Sequence, residues 1–192
     1  MLSILELPTV RQRVARTSVE TYHAMSEQGL VAGRTELLRG AIIEKTTKPP
    51  LHASIVRRLF QIVSSVLRPG MFAQKEDPLT LADSEPEPDI AVVVGNPDDF
   101  RREHPRGALL VIEVAVRTEE TAREKASIYA EAGVREYWLV LPEKGTIEIF
   151  RLPAAGKYGE ARMLHRGEVA VSQALPELRA DVAELLGELK EN

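Results

Sequence analysis

The chain has 192 residues, 44% of them hydrophobic, no cysteine, and a formal net charge of −4. That length suits one domain of ordinary globular composition. The lack of cysteine excludes disulfides and thiolate-held metals, and mild acidity argues against a protein that coats nucleic acid through many Lys and Arg contacts. No stretch reaches the roughly 18 consecutive apolar residues of a membrane span. The opening MLSILELPTVRQR carries its acid early and its basic residues late, the wrong order for a secretory signal. Cytoplasmic residence away from membranes is expected.

Residues 1–17 read as an extension ahead of a domain over 18–192. In RTSVETYHAMSEQG, Thr17 or Ser18 can cap a helix that Gly29 stops. TELLRGAIIEK predicts two short strands turned at Arg39-Gly40. After the prolines of TTKPPLHASIVRRLFQIVSSVLRPG, the spacing of Ile55, Leu59, Ile62, Val63 and Val66 predicts an amphipathic helix closed by Pro69-Gly70. MFAQKEDPLTL is a weak strand, and EPEPDIAVVVG enters a strand at Asp89 or Ile90. NPDDFRREHPRG is a polar loop. ALLVIEVAV is apolar on both faces, which places it centrally in a sheet. TEETAREKASIYAEAG predicts a helix from Thr118 to Gly133. EYWLVLP and TIEIFR are strands, GKYGEARMLHRGEVAVS an edge hairpin, and LRADVAELLGEL a terminal helix. The strand–helix–strand unit from Ala108 to Leu141 predicts two parallel strands with a right-handed crossover. The class is α/β (α+β), a mixed sheet flanked by helices.

One residue in this pattern is out of place. Side chains alternate along a strand, so Glu113 shares a face with Leu109, Val111 and Ala115. A buried carboxylate needs a cation or hydrogen-bond donors. Asp89 begins the preceding strand and converges on Glu113 if the two strands are neighbours. Two carboxylates alone would repel. A hard divalent cation such as Mg²⁺, which takes one or two carboxylates plus waters, reconciles them. On the following helix, Ala122, Ala126, Tyr129, Ala130 and Gly133 form an apolar stripe with Lys125 at its edge, where a long stem can carry an ammonium toward the sheet. Against this stands a structural reading in which Lys125 merely balances Glu113. The four histidines are widely spaced, with no HExxH pattern. His52, at the start of the second helix, is a candidate to face the cleft, against the commoner role of a surface histidine.

The segments SEPEPDIAVV, HPRGALLVIEVAV and REKASIYAEAGVREYWLVLPE, with ELLRGAIIEK and VETYHAMSEQG before them, resemble the bacterial Uma2 family of endonucleases. That family lies within the PD-(D/E)XK, restriction-endonuclease-like superfamily. The resemblance spans about Ser18 to Arg151. It implies a restriction-endonuclease-like mixed sheet with an N-terminal helix and hairpin, and hydrolysis of DNA phosphodiesters by water activated on Mg²⁺ or Mn²⁺. Asp89 and Glu113 match the two metal-binding acids, and the backbone carbonyl of Val114 could add a ligand. Ala115 stands where the superfamily usually has its lysine, so Lys125 looks like that lysine moved onto the helix. Ala41 stands where the family often has an acid, and Glu44 or Glu87 are the candidates to replace it. The rival readings are a nuclease-fold protein that binds nucleic acid or a protein partner without cleaving, and a purely structural dimerising module. The apolar and aromatic content of REYWLVLP and the hairpin after it suggests a homodimer.

Overall fold

The computed structural model describes residues 7–11, 13–31 and 34–187. Parts of the N-terminal extension and the end of the predicted terminal helix lie outside the described residues. The elements run α1 (Pro8–Arg11), α2 (Val19–Glu27), β1 (Thr35–Leu38), β2 (Ala41–Glu44), α3 (Pro50–Ser65), β3 (Met71–Gln74), β4 (Ile90–Val94), β5 (Leu110–Val114), α4 (Glu119–Glu131), β6 (Glu136–Leu141), β7 (Thr146–Ala154), β8 (Lys157–His165), β9 (Val169–Val171), β10 (Arg179–Asp181) and α5 (Val182–Leu186). Among the described residues, no helix is long and apolar enough to cross a membrane.

Six strands form the main sheet in the order β3-β4-β5-β6-β7-β8. Only β5 and β6 are parallel, with α4 as their crossover, as the strand–helix–strand pattern requires. β5 lies inside the sheet and is buried along its whole length. Its two faces serve two cores. Leu110, Ile112 and Val114 pack with Ile55, Leu59 and Val63 of α3 and with Leu185 of α5. Val111 and Ala115 pack with Ala122, Ile128 and Tyr129 of α4. Tyr137 and Trp138, the aromatic pair behind the homodimer expectation, are fully buried inside the protomer and offer no surface to a second copy.

The predicted edge hairpin divides instead between two sheets. β8 pairs with β7 as the edge of the main sheet, while β9 leaves to pair with β10. The terminal helix is shorter than its sequence pattern, because Arg179–Asp181 is strand and Asp181 then caps α5 by accepting from the Ala183 and Glu184 N–H groups.

The β1–β2 hairpin matters most for the site. Ser18 caps α2 through the Thr21 N–H. Tyr22 of α2 is buried with Val19 and Leu37, and its hydroxyl meets Thr35 at 2.9 Å. Leu37 exchanges backbone hydrogen bonds with Glu85, at 2.7 and 3.3 Å. The hairpin is thereby fastened to the segment that leads into Asp89. Its turn places Arg39 and Gly40 at φ 53° and 74°, the left-handed pair that a tight two-residue turn needs. A Cβ on Gly40 would lie 2.7 Å from Arg16 Cβ and 3.1 Å from Thr17 O. Gly40→Ala should therefore cost at least about 1–2 kcal/mol, the left-handed penalty alone, in urea denaturation. An unchanged midpoint would show that the turn is not under this constraint.

Candidate active site

The site lies at the end of β4 and β5, in a cleft of about 430 Å³ between the hairpin and α4. The register Ile90–Ile112 brings Asp89, one residue before β4, to the Glu113–Val114 peptide. The Val114 N–H donates to Asp89 Oδ2 at 2.7 Å. Asp89 and Glu113 line the same cleft, together with Val114, Lys125, His52, Glu87 and Glu44. Every residue that the sequence offered for the site is thus in or on this one cleft.

Lys125 is 6% exposed. It does not lie at the edge of the α4 stripe. With Ala122 and Tyr129 it occupies the buried line of the helix, at the spacing i, i+3, i+7. The periodicity of the apolar residues alone puts Lys125 at the edge of the stripe, and its two carboxylate partners draw it inward. Its ammonium reaches Glu113 Oε1 at 3.0 Å and Glu36 Oε2 at 2.8 Å. Two carboxylates raise its pKa above the ordinary lysine value even though burial, the largest single effect, lowers it. Tyr129 OH donates to the same Glu113 Oε1 at 2.8 Å. Both described bonds therefore fall on one oxygen of Glu113.

Asp89 is held differently. Lys48 Nζ lies 2.7 Å from Oδ1, and His52 Nε2 lies 3.0 Å from Oδ2. Burial raises the Asp89 carboxyl, but His52 and Lys48 outweigh it and hold the group below the usual carboxylate range. With Nε2–H donating to the carboxylate, His52 Nδ1 is left as a buried atom without a hydrogen-bond partner. Glu87 is paired with Lys45 and gives its N–H to Glu36 Oε2 at 3.3 Å. Glu44 is exposed on β2 at the rim. Ala41 is exposed in β2, and the buried acid that the hairpin contributes to the site is Glu36, from β1.

Glu36 and Lys48 were not singled out from the sequence. Glu36 carried a usable signal, the same one as Glu113: a single acid inside a short strand that is buried on both faces. Lys48 carried none, since it stands outside any helix or strand and meets Asp89 across 41 residues.

Among the described residues, no three His, Asp or Glu side chains are grouped so as to hold a metal ion by themselves. The donors present are hard oxygens, with two strand carboxylates at one cleft. They suit an ion that takes one or two carboxylates and keeps its other positions for water, as Mg²⁺ does. The Glu113 carboxyl is pushed above its ordinary value, by burial first and then by Asp89 and Glu36, with Lys125 offsetting only part.

The fold is a six-stranded mixed sheet with helices on both faces. A solved structure described as a "putative nuclease belonging to DUF820" from Anabaena variabilis ATCC 29413 superposes with a TM-score of 0.69, covering 84% of this chain and 96% of that one at 20% identity. At that identity the likeness is one of fold. No curated protein matches the chain. The profile of the Uma2 family, described as "Putative restriction endonuclease", matches residues 19–183. The chain belongs to the Uma2 family.

The pKa directions give a pH signature. Glu113 binds a proton more tightly folded than unfolded. Its contribution to stability is therefore greatest at low pH and falls as pH rises through its folded pKa. Asp89 runs the other way: its contribution is present above its unfolded pKa and lost as pH falls through the lowered folded value. Glu113→Gln removes the first effect alone. The stability difference, variant minus wild type, should grow as pH rises from about 4, near the ordinary Glu value. Urea melts at several pH values measure it, and a difference that is flat or shrinking with pH would contradict the assignment.

Proposed function

We propose that this protein is a metal-dependent nuclease whose active centre is Asp89, Glu113 and Lys125, acting on the phosphodiester bonds of DNA. The observation that carries the reading is the meeting of two carboxylates, Asp89 just before β4 and Glu113 in β5, and a buried lysine at one cleft, in a member of a family described as "Putative restriction endonuclease". Asp89 and Glu113 would hold Mg²⁺ or Mn²⁺, with the Val114 carbonyl as a further donor. When bound, the ion supplies Lewis acidity and lowers the pKa of a coordinated water.

The chain's own residues do the positioning. The Val114 N–H and His52 fix the plane of the Asp89 carboxylate from Oδ2. Tyr129 and Lys125 hold Glu113 through Oε1. Lys125 is kept protonated by Glu36 and Glu113, so it is suited to stabilising negative charge that develops on a phosphate rather than to acting as a base. Glu36 anchors Lys125 from the hairpin side. It is a positioning residue.

A second reading, a nuclease-fold protein that binds nucleic acid without cleaving it, is favoured by one observation. Both Asp89 oxygens already have protein partners. Supercoiled plasmid with Mg²⁺ or Mn²⁺ separates the two. The nuclease reading expects nicking that chelation by EDTA abolishes, and that Asp89→Asn, Glu113→Gln and Lys125→Met each reduce at least about 100-fold, the scale of losing one transition-state electrostatic group. Binding of DNA without nicking under all metal conditions would support the second reading instead.

A further inference from the structure

Resting on the metal reading above, the contacts of Asp89 raise a question of access. Its Oδ2 accepts from the Val114 N–H and faces His52. Both partners are buried parts of the framework: one is strand backbone and the other is a ring on α3. Its Oδ1 has a different partner, the ammonium of Lys48 at 2.7 Å. A divalent cation seeks that same hard oxygen at about 2.1 Å. An ammonium in contact with the oxygen would then sit only a few ångströms from the ion, and two positive charges so close repel strongly in a partly buried site. Lys48 and the ion compete for one atom.

Lys48 is built to give way. It lies in the irregular segment between β2 and α3, just before Pro49 and Pro50. Its side chain is 19% exposed, against 7% for Lys125. Its second partner is Glu76 Oε1 at 3.0 Å, on a side chain 32% exposed. The ammonium thus already has a foothold at the rim. Lys125, by contrast, is enclosed and held by two buried carboxylates. We infer that Lys48 is a displaceable counter-cation: it neutralises Asp89 while no divalent ion is present, and an entering ion must evict it toward the rim. The cost of that eviction sets the protein's affinity for the ion.

Isothermal titration of Mn²⁺ into the full chain tests this. Lys48→Met should bind Mn²⁺ at least about tenfold more tightly than wild type, since a contacting positive charge has been removed. Lys45→Met is the control for general charge, because Lys45 lines the same cleft but pairs with Glu87, and its affinity should change much less. Lys48→Arg, which keeps the charge, should bind no more tightly than wild type. In thermal melts, saturating Mn²⁺ should raise the midpoint of Lys48→Met by more than that of wild type, as tighter binding to the native state requires. If Lys48→Met does not fold, Lys48→Gln serves in its place. Wild-type affinity in Lys48→Met, or equal tightening by Lys45→Met, overturns the counter-cation. Absence of Mn²⁺ binding by both wild type and Lys48→Met overturns the metal reading with it, whereas binding by wild type that Asp89→Asn abolishes leaves that reading standing whatever Lys48 does.

Discussion

One ammonium, Lys125, is shared between two buried carboxylates, Glu36 and Glu113. Each group sits where an unpaired charge would be costly by several kcal/mol. The three come from three separate elements, β1, β5 and α4, so the full network forms only when hairpin, sheet and crossover helix have all docked. The remaining contacts around the cleft support that docking. Arg39 at the hairpin turn reaches Ser127 and Glu131 of α4. Arg123 of α4 forks onto Glu148 of β7. The hairpin and α4 are thereby held as two walls of the cleft, joined by ion pairs and by Leu38 of the hairpin packing on the apolar cluster of α4.

The same triad concentrates acids at one end of the sheet. Lys125 serves both Glu36 and Glu113, while Asp89 beside them has its own cation, Lys48. Burial first, then Asp89 and Glu36, raises the Glu113 carboxyl above its ordinary value, and Lys125 offsets part of that rise. Replacing a buried ion pair by apolar residues is often neutral or stabilising, so such a network is weak evidence for a purely stabilising role.

Most of the framework was legible because it is local. The cap at Ser18, the stop at Gly133 and the stripe of α3 are set by residues within a few positions of each other, and the apolar run of β5 announces a strand covered on both faces. Asp89 and Glu113 were legible because a carboxylate inside such a run is conspicuous. The partners that complete the site were not. Lys48 reaches it through a contact that no local pattern encodes, Glu36 shows in the sequence only as a lone acid in a short hairpin strand, and Lys125 falls at the edge of the apolar stripe by helical periodicity whereas its carboxylate partners draw it into the buried line of α4. β8 was read as half of a separate hairpin because the turn at Arg166-Gly167 is visible in sequence, while the strand to which β8 pairs is not.

The conspicuous acid is not sufficient by itself, as β6 demonstrates. Glu136 also sits in a strand buried throughout, and it is 1% exposed. Its environment is the opposite of that of Glu113. Trp138 Nε1, Arg151, Ser172 Oγ and the N–H groups of Gln173 and Ala174 all donate to its two oxygens. Every acceptor position of importance is filled, and the effect is to tie the segment after β9 onto the sheet. Glu136 is a clasp, sealed away from the cleft. Glu113 has its described donors on one oxygen, a second acid beside it and a cleft in front of it. Two acids buried in adjacent parallel strands thus differ in whether the protein's own donors take up both of their oxygens.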